Sequence, residues 1–125
     1  MKSRYVIRAG DMPSYTPANH TGARNTRLVA EAINGARFME VILGEIDRGA
    51  GVSTHAHPGM EQAQYFLEGE AEVKIEGETY QVRAGDICFF PADVFHSVRV
   101  TSARAKVLVM YAPPYAESSD KVVRK

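Results

Sequence analysis

Apolar and polar positions alternate in short runs between residues 27 and 112, and turn residues interrupt them about every 8–12 positions, a pattern of many short strands. The clearest run is 70–76. Ala71, Val73 and Ile75 point one way, while Glu70, Glu72, Lys74 and Glu76 form a solvated face. Together with residues 79–83 it reads as a hairpin around Glu76-Gly77-Glu78. Upstream, residues 27–32 and 37–46 read as strands joined at an Asn34-Gly35 turn. Met39, Val41 and Leu43 share one face of the second strand; Phe38, Ile42 and Ile46 share the other. A strand apolar on both faces is covered on both sides, and in so small a chain the second cover comes most easily from another subunit, so a homodimer is expected. Glu40 interrupts this pattern and either reaches water at a sheet margin or faces a pocket.

Residues 62–67, 87–90, 94–100 and 105–112 supply further strands, and Pro113-Pro114 stops the last. Residues 3–9 read as a short first strand, and 10–25 as a turn-rich segment. No helical period of 10–15 residues separates the strands, so the expected class is an all-β sandwich or barrel. The expected organisation is one domain: an N-terminal arm (1–26), a barrel (27–112) and a polar tail (113–125) that is loose or docks as a short helix.

Three of the four histidines lie on strand-like segments. His55 and His57 are two apart. Alternate side chains of a strand leave the same face about 6.5–7 Å apart, so both imidazoles can tilt toward one ion, whereas a helix would separate them. Val52-Ser53-Thr54 ahead of the pair and Pro58-Gly59 behind it favour strand followed by turn. Gln62 opens the next apolar run and His96 sits in a later one, so three separated segments each carry a candidate metal donor. Neutral imidazole suits Zn, Cu, Fe and Ni, and an amide oxygen also suits Mn or Fe. His20 belongs to the turn-rich segment. Either it is an exposed loop residue, or the arm folds over a neighbouring pocket and brings His20 or Arg24 to a ligand.

Composition narrows the function classes. A length of 125 residues suits one core, and 45% hydrophobic with 24% charged residues is ordinary for a soluble globular chain. Fifteen basic and fifteen acidic residues cancel, which gives no electrostatic case for nucleic acid or an anionic membrane as partner. The single cysteine, Cys88, reads as a small buried hydrophobe and excludes an internal disulfide. With no long apolar stretch and no signal-peptide core at the start, the expected compartment is the cytoplasm. Nucleophile elbow, phosphate-binding glycine loop and Cys-x-x-Cys pair are all missing from the sequence, so any catalysis falls to the metal.

At these residues the chain resembles the cupin family. The first cupin motif is a Gly, five residues, His-x-His, three or four residues, a Glu, six residues and a Gly; Gly49, His55, His57 and Gly69 match it, with Gln62 in the Glu position. The second is Gly, five residues, Pro-x-Gly, two residues, His, three residues, Asn. Gly85, Pro91 and His96 match, while Asp93 replaces the second Gly and Val100 the Asn. The resemblance implies a conical jelly-roll barrel (a double-stranded β-helix) with a divalent ion, Mn, Fe, Ni or Zn, held inside by His55, His57, Gln62 and His96. Taking Glu61 as the fourth ligand fits a three-residue gap after His57 but leaves seven residues before Gly69, so Gln62 is favoured. Glu61 then lies beside the site or points away. An amide ligand brings no charge, so the ion keeps its full double charge, binds somewhat less tightly and favours an anionic partner. Metal binding needs neutral imidazoles, so affinity is expected to fall as pH drops through about 6.5. The competing reading is a metal-free barrel interior filled by hydrogen-bonded polar residues.

By parity, Gln64, Phe66, Val94 and Val98 face inward with the ligands; Phe89, Phe95, Met39, Met110 and Tyr111 are further apolar candidates for the pocket, with ordinary core packing the favoured role of each. Similar small cupins include dioxygenases of phenols or diketones, sugar-acid isomerases, polyketide cyclases and proteins that open unsaturated uronates. The expected function is therefore a metal-dependent isomerase/lyase or dioxygenase acting on a small oxygenated molecule. Candidates for acid–base work are Glu61, Tyr111, Glu40 and His20, with Tyr65 a further proton donor. The alternative is a module that binds or senses a small molecule without converting it.

Overall fold

The computed structural model describes residues 3–17, 20–116 and 118–124. In chain order its strands are β1 (Ser14–Tyr15), β2 (Ala23–Val29), β3 (Glu40–Asp47), β4 (Gly51–Ala56), β5 (Glu61–Glu68), β6 (Glu70–Ile75), β7 (Glu78–Arg83), β8 (Ile87–Phe90), β9 (His96–Val100), β10 (Arg104–Ala112) and β11 (Val123–Arg124). They form two antiparallel sheets facing each other, in the orders β1-β2-β3-β10-β5-β8 and β11-β4-β9-β6-β7. This is the all-β jelly roll expected.

One end of the sandwich is apolar. Phe66, Val73, Phe90, Val98, Val100 and Val107 are almost fully buried and, with Ala71, Cys88 and Ala105, form a continuous core. Each of the larger side chains contributes about 1.5–3 kcal/mol by leaving water. The same strands change character toward the other end. On β5 the inward series runs Phe66, Gln64, Gln62; on β9 it runs Val100, Val98, His96; on β10 it passes from Ala105 and Val107 through Val109 to Tyr111. The apolar half thus holds the strands in register, and the polar half inherits that register as a site.

Two glycines allow the strands to approach this closely. A Cβ at Gly51, where φ is +144°, would lie 2.0 Å from the Val98 carbonyl oxygen. A Cβ at Gly69 (φ +90°) would lie 2.3 Å from the Arg104 carbonyl oxygen. Any side chain at either position would collide with backbone as well as strain its own.

Several local expectations are corrected. Residues 3–9 form no strand: the Ser3 hydroxyl accepts from the Tyr5 and Val6 amides, a local alternative to pairing. The strand expected at 27–32 begins four residues earlier, as β2. Asn34-Gly35 is not a hairpin turn. It closes a short helix, α1 (Glu31–Asn34), whose C-cap Gly35 takes the left-handed conformation while the Asn34 side chain bonds Ala30 and Leu28. The tail turns once at Ser119–Lys121 and then adds β11 to the edge of β4.

Candidate metal centre

His55 and His96 are direct cross-strand partners on β4 and β9. His57 follows β4 by one residue and stays on the same face, so the two-residue spacing works as an extended chain requires. Gln62 enters from the opposite sheet, where its neighbours are Tyr111 on β10 and Phe90 on β8. The three imidazole centroids lie 4.3, 4.8 and 5.8 Å apart, and one ring nitrogen from each falls within 4.8 Å of the others. All four side chains are at least 95% buried.

The ring nitrogens are not equivalent. Nδ1 of His55 lies 2.7 Å from the Ser53 carbonyl, Nδ1 of His57 2.8 Å from that of Lys121, and Nδ1 of His96 3.2 Å from that of Val94. A carbonyl only accepts, so each Nδ1 carries the hydrogen and each Nε2 keeps its lone pair. Nε2 of His57 and His96, and Oε1 of Gln62, are buried without a partner. Three oriented imidazoles clustered within 4.8 Å fit a divalent cation, and the unpartnered amide oxygen of Gln62 lines the same cavity. A contraction of less than roughly an ångström brings the nitrogens to metal–ligand range of about 2.1 Å.

Electrostatics keep these rings neutral. Burial pushes His55 down to about 4 against the opposing hydrogen bond to Ser53, and His57 and Arg124 lower it further. Burial and the neighbouring His55 push His96 down to about 3. His57 is lowered by burial and Arg124, and partly restored by its bond to Lys121. A neutral imidazole is the form that ligates.

The turns around the site are tied together. The His57 carbonyl accepts from the amides of Met60 and Asp93, and the Asp93 carboxylate accepts from Gly59. Asp93 occupies the position of the family's second glycine and holds φ at +67°, a left-handed conformation that Asp tolerates better than most residues. On the core side, Phe90 stacks on His96 with centroids 4.2 Å apart.

A cavity of about 70 Å³ opens in front of the histidines. That interior holds an ion and a few waters, less than half the ~150 Å³ of a cavity that admits benzene, so an organic molecule reaching the histidines would lie partly in the open mouth. The barrel lines it with Gln62, Gln64, Val109 and Tyr111, the arm with Pro17 and His20, and the tail with Tyr115, Val122 and Arg124. Tail and arm therefore form part of the wall, and sequence reasoning did not place the tail there. The only signal was the Val122-Val123 pair, a β-branched step inside a polar segment.

Among the acid–base candidates, Tyr111 and His20 line the cavity. The Tyr111 ring lies against His57 at 5.5 Å, and both ring nitrogens of His20 are buried without a partner. Arg24, the other residue of the arm considered, pairs with Glu45 on the exposed surface. Glu61 points to the exposed outer face of β5, opposite in parity to Gln62. Glu40 neither reaches water nor lines the cavity: it is 1% exposed, accepts from Arg27 Nε at 3.2 Å, and accepts from the Tyr115 and Ala116 amides. It anchors the tail across the cavity. Gln64, Phe66 and Val98 face inward as parity requires, whereas Phe89, Met39, Phe95 and Tyr65 lie at the surface.

A family model described as "Cupin domain" matches residues 42–111. The chain is 28% identical over 109 residues to polyketide synthase CurC of Streptomyces cyaneus, spanning 87% of this chain and 71% of that protein. It is 25% identical over 107 residues to quercetin 2,3-dioxygenase of Bacillus subtilis (strain 168), spanning 86% of this chain but only 31% of that larger protein. Among solved structures, an RmlC-like cupin from Shewanella frigidimarina NCIMB 400 superposes with a TM-score of 0.78 at 21% identity, over 90% of this chain and 94% of that one.

Proposed function

The chain belongs to the cupin family, and on that premise we propose that it is a metal-dependent enzyme of isomerase/lyase or dioxygenase type acting on a small oxygenated organic molecule, such as a sugar acid, phenol or diketone. The observation that carries this reading is the cluster of His55, His57 and His96, one ring nitrogen of each within 4.8 Å of the others, with Nε2 of His57 and His96 unpartnered and the unpartnered Gln62 amide oxygen lining the same cavity. Those four residues would hold a Mn, Fe, Ni or Zn ion. The chemistry such an ion supplies when bound is polarisation of a substrate oxygen, or oxygen activation where the metal is redox-active. The remaining work belongs to the chain. Gln62 contributes no negative charge, Tyr111 and His20 stand where a proton can be held or passed, and the tail excludes bulk water. The single thiol, buried and shifted upward by burial, fits a reducing compartment such as the cytoplasm.

A second reading is a binding or sensing module. It is favoured by the small cavity and by the lack of any carboxylate among its described lining residues to act as a general base. Oxygen consumption and substrate loss, measured with catechols, diketones and unsaturated uronates on protein loaded with each metal in turn, separate the readings. Turnover that depends on the loaded metal supports the enzyme. Saturable binding with no turnover of any substrate contradicts it and leaves the binding module.

The partner of the outer face is proposed to be a second copy of the chain. Two apolar rows cross four strands of the larger sheet, Leu43-Leu108-Tyr65-Ile87 and Val41-Met110-Ala63-Phe89, each built from register partners. Ile87 is 63% exposed and Phe89 55%. An exposed apolar face on a chain with no net charge suits self-association.

A further inference from the structure

The charge inside the cavity is unbalanced. Among its described lining residues none is a carboxylate, and the one formal charge is that of Arg124. Arg124 forms no salt bridge with any described residue and is exposed, while still lining the cavity, which places its guanidinium at the mouth. β11 fixes its position by pairing Arg124 with His55, and its charge disfavours protonation of His20, His55 and His57. His20, from the other end of the chain, reaches the same wall with no partner for either ring nitrogen. A cation held by three imidazoles and an amide would add two further positive charges, with no described lining residue to offset them. Such a concentration of like charge at a cavity and its mouth favours an anion.

We infer that Arg124, with His20 beside it, forms a carboxylate subsite at the cavity mouth, so that the molecule taken by this site carries an anionic group alongside the oxygen it presents to the histidines. This rests on the metal reading for the oxygen at the histidines, but not for the group at Arg124. A planar guanidinium matches a carboxylate through two parallel hydrogen bonds. A carboxylate also fits better than a phosphate, because a single fork and a neutral imidazole offer few donors for three phosphate oxygens, and the space is small. Among the substrate classes of the proposed function, this selects acids over phenols and neutral diketones. The C-terminal strand, outside the residues matched by the family model, becomes the element that reads the substrate.

The test compares succinate with succinamide, in which both carboxylates are replaced by uncharged amides of nearly the same shape. Binding is measured by calorimetry to wild type, Arg124→Gln and Arg124→Lys, each metal-free and metal-loaded, with metal content assayed in parallel. Wild type is expected to prefer succinate by roughly tenfold or more; Arg124→Gln should lose most of that preference and Arg124→Lys should keep part of it. His20→Ala should weaken succinate while sparing succinamide. A preference that survives Arg124→Gln overturns the inference and leaves the metal reading intact. A preference that depends on Arg124 in protein that takes up no metal sustains the inference while the metal reading fails. Wild type that binds the two probes equally, ignores succinate at millimolar concentration, or binds inorganic phosphate more tightly than succinate overturns the carboxylate subsite without recourse to any variant.

Discussion

His57 donates its Nδ1 hydrogen to the carbonyl oxygen of Lys121 at 2.8 Å, across a separation of 64 residues. A ligand proposed from the centre of the chain is thus oriented by backbone from its end. Groups that orient a metal-bound imidazole set its tautomer and typically carry a 10–100-fold effect on affinity. Truncation after Pro114 removes this carbonyl together with Arg124, and is expected to weaken metal binding at least about tenfold while the barrel strands stay folded. Competition with a chromophoric chelator, alongside circular dichroism, checks this; unchanged affinity in the truncated protein would show that the tail does not orient the site.

Burial changes the pH range over which the site works. His55 is held near 4 and His96 near 3, and His57 is also lowered, all from an ordinary value of 6.5. Between those values the unfolded chain binds protons that the folded chain does not, so stability rises with pH across the window. The contribution is complete above about 6.5 and declines as pH falls toward 4 and then 3. Metal-free protein should therefore lose thermal stability progressively below about pH 6.5. Proton competition for the metal should likewise set in lower than the ordinary imidazole value of 6.5 suggests. Metal retention and melting temperature followed from pH 7 to 4 test both. Loss of half the metal near pH 6.5 would mean that the rings are not desolvated as described.

Glu40 spends both carboxylate oxygens inside the protein, on Arg27 and on two amides of the tail. Glu40→Ala removes three hydrogen bonds, one from the partly exposed Arg27 guanidinium and two from tail amides. The expected cost is roughly 2–4 kcal/mol, seen as a drop in melting temperature of about 5–15 °C. Glu40→Gln keeps the shape but not the charge and should lose less. A Glu40→Ala variant as stable as wild type would contradict the anchor.

Much of this was legible in the sequence because period-2 patterning and motif spacing are local properties. Ala71, Val73 and Ile75 announced their strand, the spacing of His55 and His57 suggested a shared ion, and the resemblance to the cupin motifs implied Gln62 and His96 as their companions. What the sequence did not reveal was long-range. The inward pull of Glu40 depends on where Tyr115 and Ala116 lie, and the role of Arg124 depends on a two-residue strand stabilised only by pairing with β4. Phe89 reads as a core or pocket residue because it is apolar, yet its neighbours in register, Ala63 and Met110, put it on the outer face.

That outer face yields a further prediction. If two copies meet there, Phe89→Glu combined with Tyr65→Glu places charge in the middle of the apolar rows and should convert a dimer into a monomer with its metal site intact. Light scattering coupled to size-exclusion chromatography reads the change. A wild-type monomer at micromolar concentration, or a variant that remains dimeric, would contradict this assignment.

The central claim is most directly tested by counting metal on tag-free protein, in wild type and in His57→Ala, His96→Ala and Gln62→Ala variants. The expected result is one tightly held divalent ion per chain in wild type, its near-complete loss in either histidine variant, and weaker but measurable binding in Gln62→Ala. Wild type that takes up no ion, or histidine variants that hold it as tightly as wild type, would contradict the account.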